Sequence, residues 1–436
     1  MKRATRLFTS LLVLLALASP SEAAGTRVIV RVEGGLVVIQ GICRLLGCTV
    51  NYGLEDPAGQ VFLVTTDTSV AAATFLSTLR LQAGVLDAEL DLRGKIRQDS
   101  GSVVPAALYD RTPIDYFGTT VWRGYATQPA SQIVGVAAAQ NQFGVDGSGI
   151  VAVIDTGVDA SHPVLAPVLL PGYDFTRNRD SADEKGDVKQ STAAVVDGAN
   201  PAWVNQSTAA VVDQSTAAVV DTSAYSAFGH GTMVAGVIHL VAPRAWILPL
   251  KAFDADGGGY TSDVIRAVHR AVNANAKVLN MSFSFESASP ELSQALTFAN
   301  RNNVICVASA GNDGQNVAVY PAAYSNRVMG VASTTNGDAR SPFSNYGQPQ
   351  VWVAAPGEGI VTTYPWGTYA AAWGTSFSAP FVSGAAALLV DVNNSVSEST
   401  AAQAIARAKY ISSELANGRL DLSQAVAAWR QTLGVR

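Results

Sequence analysis

The segment VAVIDTGVD, residues 151–159, decides the fold class, because an apolar strand runs directly into the carboxylate of Asp155. Similar apolar runs follow at Trp246–Pro249, Lys277–Met281 and Val304–Ala308, and helix-compatible stretches separate them. This alternation predicts an α/β fold, a mostly parallel sheet with helices on both faces. A carboxylate at the carboxyl end of such a strand faces the crevice where these sheets place their sites.

Two other short segments carry the residue types that complete a nucleophilic triad. FGHGTMVAG at 228–236 places His230 between two glycines, and GTSFSAP at 374–380 puts Ser376 at a predicted helix start, with Pro380 expected in the first turn. A serine hydroxyl is a poor nucleophile until a histidine removes its proton, and a carboxylate holds that histidine in one tautomer. Each residue alone fits a turn or a cap, but the three together point to acyl transfer.

These segments resemble the three signature motifs of the subtilisin-like serine proteases, in the same chain order of Asp, His and Ser. The similarity covers roughly residues 130–425 and includes VASAGNDG at 307–314. It implies that Asp155, His230 and Ser376 are the catalytic residues of a serine endopeptidase that forms an acyl-enzyme. It also implies protein or peptide substrates, a monomer, and no cofactor for the chemistry.

The resemblance further implies an oxyanion donor in the Asn312 side chain, beside the backbone N–H of Ser376. An extended substrate would pair with two exposed edges, and the residues expected to contact it are Gly257, Gly258, Gly259, Ser282, Phe283, Ser284, Ala310 and Gly311. Where the family usually has Leu-Gly-Gly, this chain has Phe283-Ser284-Phe285. We therefore expect a narrowed primary pocket and a preference for small side chains before the scissile bond.

The chain divides into four predicted parts. Residues 1–23 have the charged start and short apolar run of a signal peptide, so we expect cleavage after Ala23 and secretion, extracellular or periplasmic. Residues 24–92 show a βαββαβ pattern, which predicts a small ferredoxin-like α+β domain. By resemblance this is an inhibitor-type prodomain that aids folding and blocks the site until autoprocessing. Residues 93–130 lack a sustained period and suggest a linker or processing region, and residues 131–436 form the predicted catalytic domain.

Composition argues against several other partners. The net charge is -5 and no Lys/Arg cluster stands out, so we expect no nucleic acid. No segment after the predicted signal peptide looks transmembrane, so we expect no membrane contact once that peptide is removed. Three cysteines form no disulfide framework; a Cys43–Cys48 bridge stays open, and Cys306 suits a small core residue.

The usual calcium site of this family is not expected here. Many relatives carry a calcium-binding loop after the helix of the catalytic histidine, whereas this chain runs straight on to Pro243. Val164 also stands where such relatives have a ligand Asp. We therefore predict no metal at that site, while another ion stays open at Asp174, Asp180 and Asp183.

An insertion repeats the octapeptide QSTAAVVD at 190–197, 206–213 and 214–221, and GANPAWVN at 198–205 keeps the period of eight. One interpretation is a tolerated, duplicated surface loop. A second is a β-prone flap at the rim of the active site, since Val-Val pairs favour extended chain. A third is a weak cation site at Asp197, Asn205, Asp213 and Asp221.

Two other functions compete with the peptidase hypothesis. A binding or scaffold module on the same fold fits the altered pocket and the repeats. A dinucleotide-binding oxidoreductase fits the sheet, but GSG at 147–149 precedes the strand, whereas a phosphate-binding glycine loop must follow one.

Overall fold

The computed structural model describes residues 25–66, 70–96, 103–188 and 225–435, together with the backbone of four short strands between 194 and 219. The predicted signal peptide, residues 1–23, lies outside the described residues. Among the described residues, one helix, Thr375–Val392, is long and apolar enough by composition to cross a membrane, and 89% of it is buried inside the protein.

The N-terminal unit is a four-stranded antiparallel sheet with two helices, in the predicted order βαββαβ. Its strands pair in the order β2-β3-β1-β4. The strands are β1 (Arg27–Val32), β2 (Cys48–Gly53), β3 (Val61–Thr66) and β4 (Val85–Leu90), and the helices are Gly35–Leu46 and Ala72–Arg80. A disulfide joins Cys43 to Cys48, at the end of the first helix.

Strand β1 is covered on both faces, one lined by Val28, Val30 and Val32 and the other by Ile29 between Arg27 and Arg31. Val28 and Val30 pack with the two helices of this unit, whereas Ile29 packs with residues of the larger unit. Successive side chains of a strand point to opposite faces. The small sheet is thus packed between its own helices and the rest of the protein.

A short strand and a structured connection follow. Strand β5 (Arg93–Lys95) pairs with the larger unit, and residues 103–126 form a 3-10 turn, a hairpin and a short helix. Leu108, Val121 and Tyr125 from this stretch are at most 1% exposed and belong to the main core. These residues are therefore packed against the larger unit, in elements too short to show a period, and the linker or processing region expected over 93–130 stays a prediction.

The larger unit is built on an eight-stranded sheet with the order β10-β9-β15-β8-β17-β18-β19-β20. The pairing is parallel except between β9 and β10. The remaining strands are, in chain order, β6 (Pro113–Tyr116), β7 (Thr119–Trp122), β8 (Ile150–Asp155), β9 (Tyr173–Asp174), β10 (Arg179–Asp180), β11 (Ala194–Val195), β12 (Ala202–Val204), β13 (Ala209–Val211), β14 (Ala218–Val219), β15 (Trp246–Lys251), β16 (Gly258–Tyr260), β17 (Val278–Met281), β18 (Ile305–Ser309), β19 (Met329–Thr334), β20 (Val353–Pro356), β21 (Ile360–Tyr364) and β22 (Thr368–Ala372).

Helices cover both faces of this sheet, as predicted. Alternate residues of β8 show the division: Val151 and Val153 pack in one core cluster, and Ala152 and Ile154 in the other. The helices of the larger unit are Arg123–Ala126, Pro129–Ile133, Val136–Phe143, His230–Val241, Thr261–Asn273, Pro290–Arg301, Thr375–Val392, Glu398–Ile405 and Leu422–Thr432. Within the described residues, 3-10 turns lie at Ala106–Tyr109, Ala166–Val168, Glu184–Asp187 and Ser413–Leu415.

The repeat insertion contributes one short strand from each of its four units, β11 to β14. Strand β13 pairs with β22, which gives a sheet of order β12-β13-β22-β21, while β11 pairs with β14. Strand β22 ends at Ala372, four residues before Ser376. The backbone therefore favours the extended interpretation over an irregular loop. The side chains of the hypothetical cation site lie outside the described residues.

Candidate active site

Asp155 and His230 meet at the carboxyl end of the central strand. Strand β8 ends at Asp155, and His230 is the first residue of the helix His230–Val241. Asp155 Oδ1 lies 2.7 Å from His230 Nδ1, and both side chains are fully buried. Asp155 Oδ1 also accepts from the Thr156 backbone N–H at 2.7 Å. The carboxylate is therefore fixed, and it holds the imidazole with Nε2 as the nitrogen that can exchange a proton.

A second buried carboxylate, Glu184, holds the start of the histidine helix. It accepts from Gly229 N at 2.9 Å and from Thr232 N at 3.2 Å, and also from the hydroxyls of Thr156 and Thr232. Backbone N–H groups at a helix start have no partner within the helix, so Glu184 acts as a cap brought from a distant segment. Burial raises the pKa of Glu184 to about 8, although its hydrogen bonds oppose that rise.

Ser376 is tied to Ser282 by two hydrogen bonds. Ser376 Oγ donates to the Ser282 carbonyl at 3.2 Å, and Ser282 Oγ donates to the Ser376 carbonyl at 2.9 Å. In a helix the N–H of residue 380 would donate to the Ser376 carbonyl, but Pro380 has no N–H. The Ser376 carbonyl is therefore free to accept from Ser282 Oγ. Pro380 was expected in the first turn, but the helix begins at Thr375, so this proline lies in the second turn.

The hydroxyl of Ser376 does not donate to His230 in this structure. Among the described residues, His230 Nε2 has no hydrogen-bond partner. The imidazole nevertheless lies against Phe377, the residue after Ser376, with ring centroids 5.3 Å apart. Hydrogen bonds of catalytic groups are often made only when substrate is in place, so Ser376 stays the candidate nucleophile.

Asn312 is oriented by the residue before the candidate nucleophile. Its Oδ1 accepts from Thr375 N at 2.9 Å and from Thr375 Oγ1 at 2.8 Å. With the oxygen held in this way, the side-chain Nδ2 is placed beside Gly374, where a β-carbon would lie 3.1 Å from it. Thr375 Oγ1 also accepts from Gly311 N at 3.2 Å, so one hydroxyl positions both residues. An amide donor close to the start of the Ser376 helix is the arrangement that oxyanion stabilisation needs.

A strand of this chain already lies between the two edges expected to bind substrate, residues 257–259 on one side and residues 282–284 on the other. Strand β5 runs antiparallel to β16, with Gly94 opposite Gly259 and Lys95 opposite Gly258. On its other side, Lys95 exchanges two backbone hydrogen bonds with Ser284, of 3.1 and 3.2 Å. Residues 93–96 are therefore bound as an extended peptide between both predicted edges, with Ile96 N donating to Gly257 O at 2.9 Å.

The register of this strand leads towards the candidate nucleophile. In an antiparallel pair, each step forward on one strand is a step back on the other. A substrate that keeps the pairing of Lys95 with Ser284 therefore places its second following residue opposite Ser282. The Ser282 carbonyl is the group that Ser376 Oγ contacts. The carbonyl to be attacked thus belongs to the residue opposite Ser282.

The aromatic residues of the Phe283-Ser284-Phe285 segment face inward. Phe283 and Phe285 are at most 2% exposed, and their rings contact each other edge-on at 5.8 Å. Phe285 lies against Gly94, where an added β-carbon would be 2.6 Å from the ring. Phe285 therefore narrows the space beside Gly94, three positions before the residue whose carbonyl is attacked, and not the primary pocket. The preference for small side chains before the scissile bond stays a prediction.

The remaining predicted substrate residues lie at the end of β18. Ala310 is fully buried, and Gly311 has a φ of 95°, a conformation that favours glycine. A β-carbon at Gly311 would also lie 2.5 Å from the Asn345 side chain. This glycine therefore lets the chain turn directly into Asn312.

The carboxylates proposed as ligands for another ion have other partners. Asp174 pairs with Arg177 at 3.0 Å, Asp183 caps the turn at Lys185, and Asp180 has a 94% exposed side chain. In the described part of the chain, no group of three or more His, Cys, Asp or Glu side chains is placed to hold a metal ion.

Glu184 and Thr375 are the site residues that sequence reasoning missed. Glu184 lies in the polar run DEKGD, which is typical of an exposed turn, and no local pattern links it to a helix that begins 46 residues later at His230. Thr375 stands within GTSFSAP, and its position directly before the serine was an available signal.

An Asp–His pair and a serine at a helix start, gathered at the carboxyl ends of parallel strands around a bound peptide, define a serine peptidase. The chain belongs to the subtilase family, whose model, described as "Subtilase family", matches residues 147–426. The protein is therefore a serine endopeptidase of the subtilisin type, and as a subtilase it needs no cofactor for catalysis.

Individual relatives agree with this assignment. Thermitase from Thermoactinomyces vulgaris is 36% identical over 258 residues, which is 59% of this chain and 80% of thermitase. Subtilisin BL from Lederbergia lenta is 39% identical over 176 residues, 38% of this chain and 65% of its own length. The structure of fervidolysin from Fervidobacterium pennivorans, a keratinolytic enzyme related to subtilisin, matches with a TM-score of 0.69 at 22% identity. That match covers 93% of this chain but only 62% of fervidolysin, and it shows the fold alone.

Proposed function

We propose that the protein is a secreted serine endopeptidase that is synthesised as a zymogen and acts through an acyl-enzyme on Ser376. The observation that carries this proposal is the bound strand of residues 93–96, which lies between both substrate edges and leads towards Ser376. In this view the N-terminal unit, residues 24–92, is the prodomain, and its tail occupies the cleft as an inhibitor.

In this proposal each residue of the site has a step. His230 Nε2 removes the proton from Ser376 Oγ as Oγ attacks the substrate carbonyl, and Asp155 stabilises the resulting imidazolium. Asn312 and the Ser376 backbone N–H donate to the oxyanion. The C–N bond then breaks, the leaving amine takes the proton from His230, and an ester remains on Ser376. Water, deprotonated by the same imidazole, hydrolyses that ester and restores the hydroxyl.

The N-terminal unit is held by carboxylates that cap two helices of the larger unit. Asp91 accepts from Ser262 N and from Ser262 Oγ, both at 2.8 Å, at the start of the helix Thr261–Asn273. Glu89 accepts from Ser289 Oγ at 2.5 Å, at the start of the helix Pro290–Arg301. Carboxylates are favourable at helix starts, because the unpaired N–H groups there carry partial positive charge. These contacts support a unit that assists folding of the sheet and helices it caps.

The bound register predicts where the precursor is cut. Counting in the sequence, the second residue after Lys95 is Arg97, so we expect the first cleavage between Arg97 and Gln98. An arginine there departs from the preference for small side chains expected from Phe283-Ser284-Phe285. The amino-terminal sequence of the product that follows the first cleavage decides between the two expectations.

Secretion is supported by two features outside the site. Residues 1–23 have the composition of a signal peptide. The Cys43–Cys48 disulfide fits an oxidising compartment, since disulfides persist mainly in exported proteins.

Comparing the wild-type precursor with Ser376→Ala tests the function. We expect the wild type to shorten to the mature size, to hydrolyse casein and to react with a fluorophosphonate probe, and Ser376→Ala to do none of these. Ser378→Ala is the matched control, since Ser378 lies on the same helix and donates to the Pro356 carbonyl instead. A properly folded wild type that neither reacts with the probe nor cleaves casein would refute the peptidase and favour a scaffold on the same fold.

A further inference from the structure

Gly94 and Gly259 form a cross-strand pair at the centre of the bound strand. We call the position that Gly94 occupies the Gly94 subsite. In the register of the bound strand, it lies three residues before the residue whose carbonyl is attacked. Neither glycine has space beside its backbone for a side chain. A β-carbon on Gly259 would lie 2.6 Å from the Phe253 ring, and one on Gly94 would lie 2.6 Å from the Phe285 ring.

Three phenylalanines make a continuous surface beneath this pair, which we call the aromatic wall: Phe253, Phe283 and Phe285. Phe253 and Phe283 stack with centroids 4.6 Å apart, and Phe283 meets Phe285 at 5.8 Å. All three are at most 2% exposed with the strand in place. Because protein interiors are densely packed, the Phe285 ring has little space into which to withdraw on the side where it meets Phe283.

The backbone of Phe285 is also fixed. Its N–H donates to the Tyr320 carbonyl at 2.7 Å, and its carbonyl accepts from Tyr320 N at 3.0 Å. The ring therefore cannot leave the Gly94 subsite through a local movement of the chain without breaking this pairing. Three atoms of the ring would lie within 2.9 Å of an added β-carbon at Gly94, so a side chain there meets the ring broadly rather than at its tip.

We propose that Phe285 is a specificity-determining residue that closes the Gly94 subsite and selects glycine in substrates at that position. The inference rests on the proposed peptidase function and deepens it. The tail of the proposed prodomain satisfies the requirement with its own Gly94. The neighbouring Lys95 side chain is exposed, so the selection does not extend to that position.

The test uses the mature enzyme and quenched fluorescent peptides that copy residues 92–100, with Gly, Ala or Leu at the position of Gly94. We expect kcat/KM to fall in that order, by about tenfold to a hundredfold between Gly and Leu, as is usual when one apolar group meets a closed pocket. A peptide with Leu at the exposed position of Lys95 is the matched control, and its kcat/KM should change less than about threefold.

Phe285→Leu and Phe285→Ala should raise the ratio of Leu-peptide to Gly-peptide cleavage at the Gly94 subsite. The ratio is the readout because a variant that is only less stable lowers both rates alike. Labelling of Ser376 by a fluorophosphonate is measured on every sample. Equal cleavage of the Gly and Leu peptides by a labelled wild-type enzyme overturns the inference and leaves the peptidase function intact. Absence of both labelling and cleavage refutes the function itself, and the inference with it.

Discussion

Replacing Asp91 by asparagine measures how much the proposed prodomain gains from capping a helix of the catalytic unit. Asp91 has a fully buried side chain, and it joins two partners: Arg27 in its own unit at 2.8 Å and Ser262 across the contact. An asparagine keeps one acceptor oxygen. Its amide nitrogen, which is a donor, replaces Oδ2, the atom that accepts from both Arg27 Nε and Ser262 Oγ. Both of these donors then lose their acceptor.

The expected size follows from these contacts. Loss of a hydrogen bond to a charged group costs roughly 1.5–3 kcal/mol. Taking about 2 kcal/mol for the lost bond to Ser262, and about 1.4 kcal/mol for each factor of ten, the prodomain of Asp91→Asn should bind about 30-fold more weakly. Arg27 also crosses the contact, where it donates to Ser262 Oγ at 3.1 Å, so a weakened pairing of Arg27 with Asp91 lowers binding in the same direction.

The assay uses the full precursor, allowed to process itself, so that each prodomain is produced beside its own enzyme. Peptide hydrolysis measured over a dilution series gives the concentration at which the non-covalent complex releases active enzyme. Asp87→Asn is the matched control, because Asp87 lies on strand β4, just before Asp91, and its carboxylate accepts from Ala88 N within the unit. Equal dissociation constants for Asp91→Asn and Asp87→Asn would show that the cap adds nothing to binding and would refute the reasoning.

Three other outcomes are expected. Asn312→Ala should lower kcat by about a hundred- to a thousand-fold with little change in KM, a magnitude taken from the oxyanion asparagine of a subtilisin; an unchanged kcat would remove Asn312 from the site. In the inactive Ser376→Ala background, Glu184→Ala should lose about 3 kcal/mol of unfolding free energy in urea, because it leaves buried N–H groups unpaired. Glu184→Gln should lose far less, because it matches the protonated form that a pKa of about 8 favours. Equal losses in the two variants would contradict the role of Glu184 as a cap. Burial raises the pKa of Glu89 to about 7, so in the complex Glu89 holds a proton that it releases near its ordinary pKa in the free prodomain. The dissociation constant of the prodomain should therefore rise from about pH 5 to pH 8. A rise just as steep in Glu89→Gln would exclude Glu89 as its source.

The sequence predicted the sheet and the helices beside it because their signals are local. The apolar run 150–154 and the alternation in Arg27–Val32 each report on a single strand, and both strands are observed. Residues 103–126 gave no such signal, since a four-residue turn or hairpin arm spans about one helical turn or two strand alternations, too few for a period to repeat. Their place in the core is decided by Leu108, Val121 and Tyr125, whose burial depends on partners far away in the chain.

The candidate site was predictable only in its named motifs. Asp155 and His230 stand in distinctive segments, and the structure brings them within 2.7 Å. Glu184 stands in no motif, and its role arises because the chain returns it to the start of the helix at His230. The two hydrogen bonds between Ser282 and Ser376 depend in the same way on a strand end and a helix, because these residues are 94 positions apart in the chain. Such contacts follow from the fold as a whole, so local patterns cannot reveal them.

The aromatic wall links substrate choice to the stability of the core. Phe253 and Phe283 belong to the same buried cluster as Met281 and Ile154 of the central sheet, and both rings are at most 1% exposed. Phe285 is held against them, so the surface that excludes a side chain from the Gly94 subsite is the outer layer of the core and not a separate loop. Enlarging that subsite therefore removes packed core atoms, and each such change lowers stability as it widens specificity. A substrate preference built in this way should resist change by single substitutions more than one set by an exposed loop.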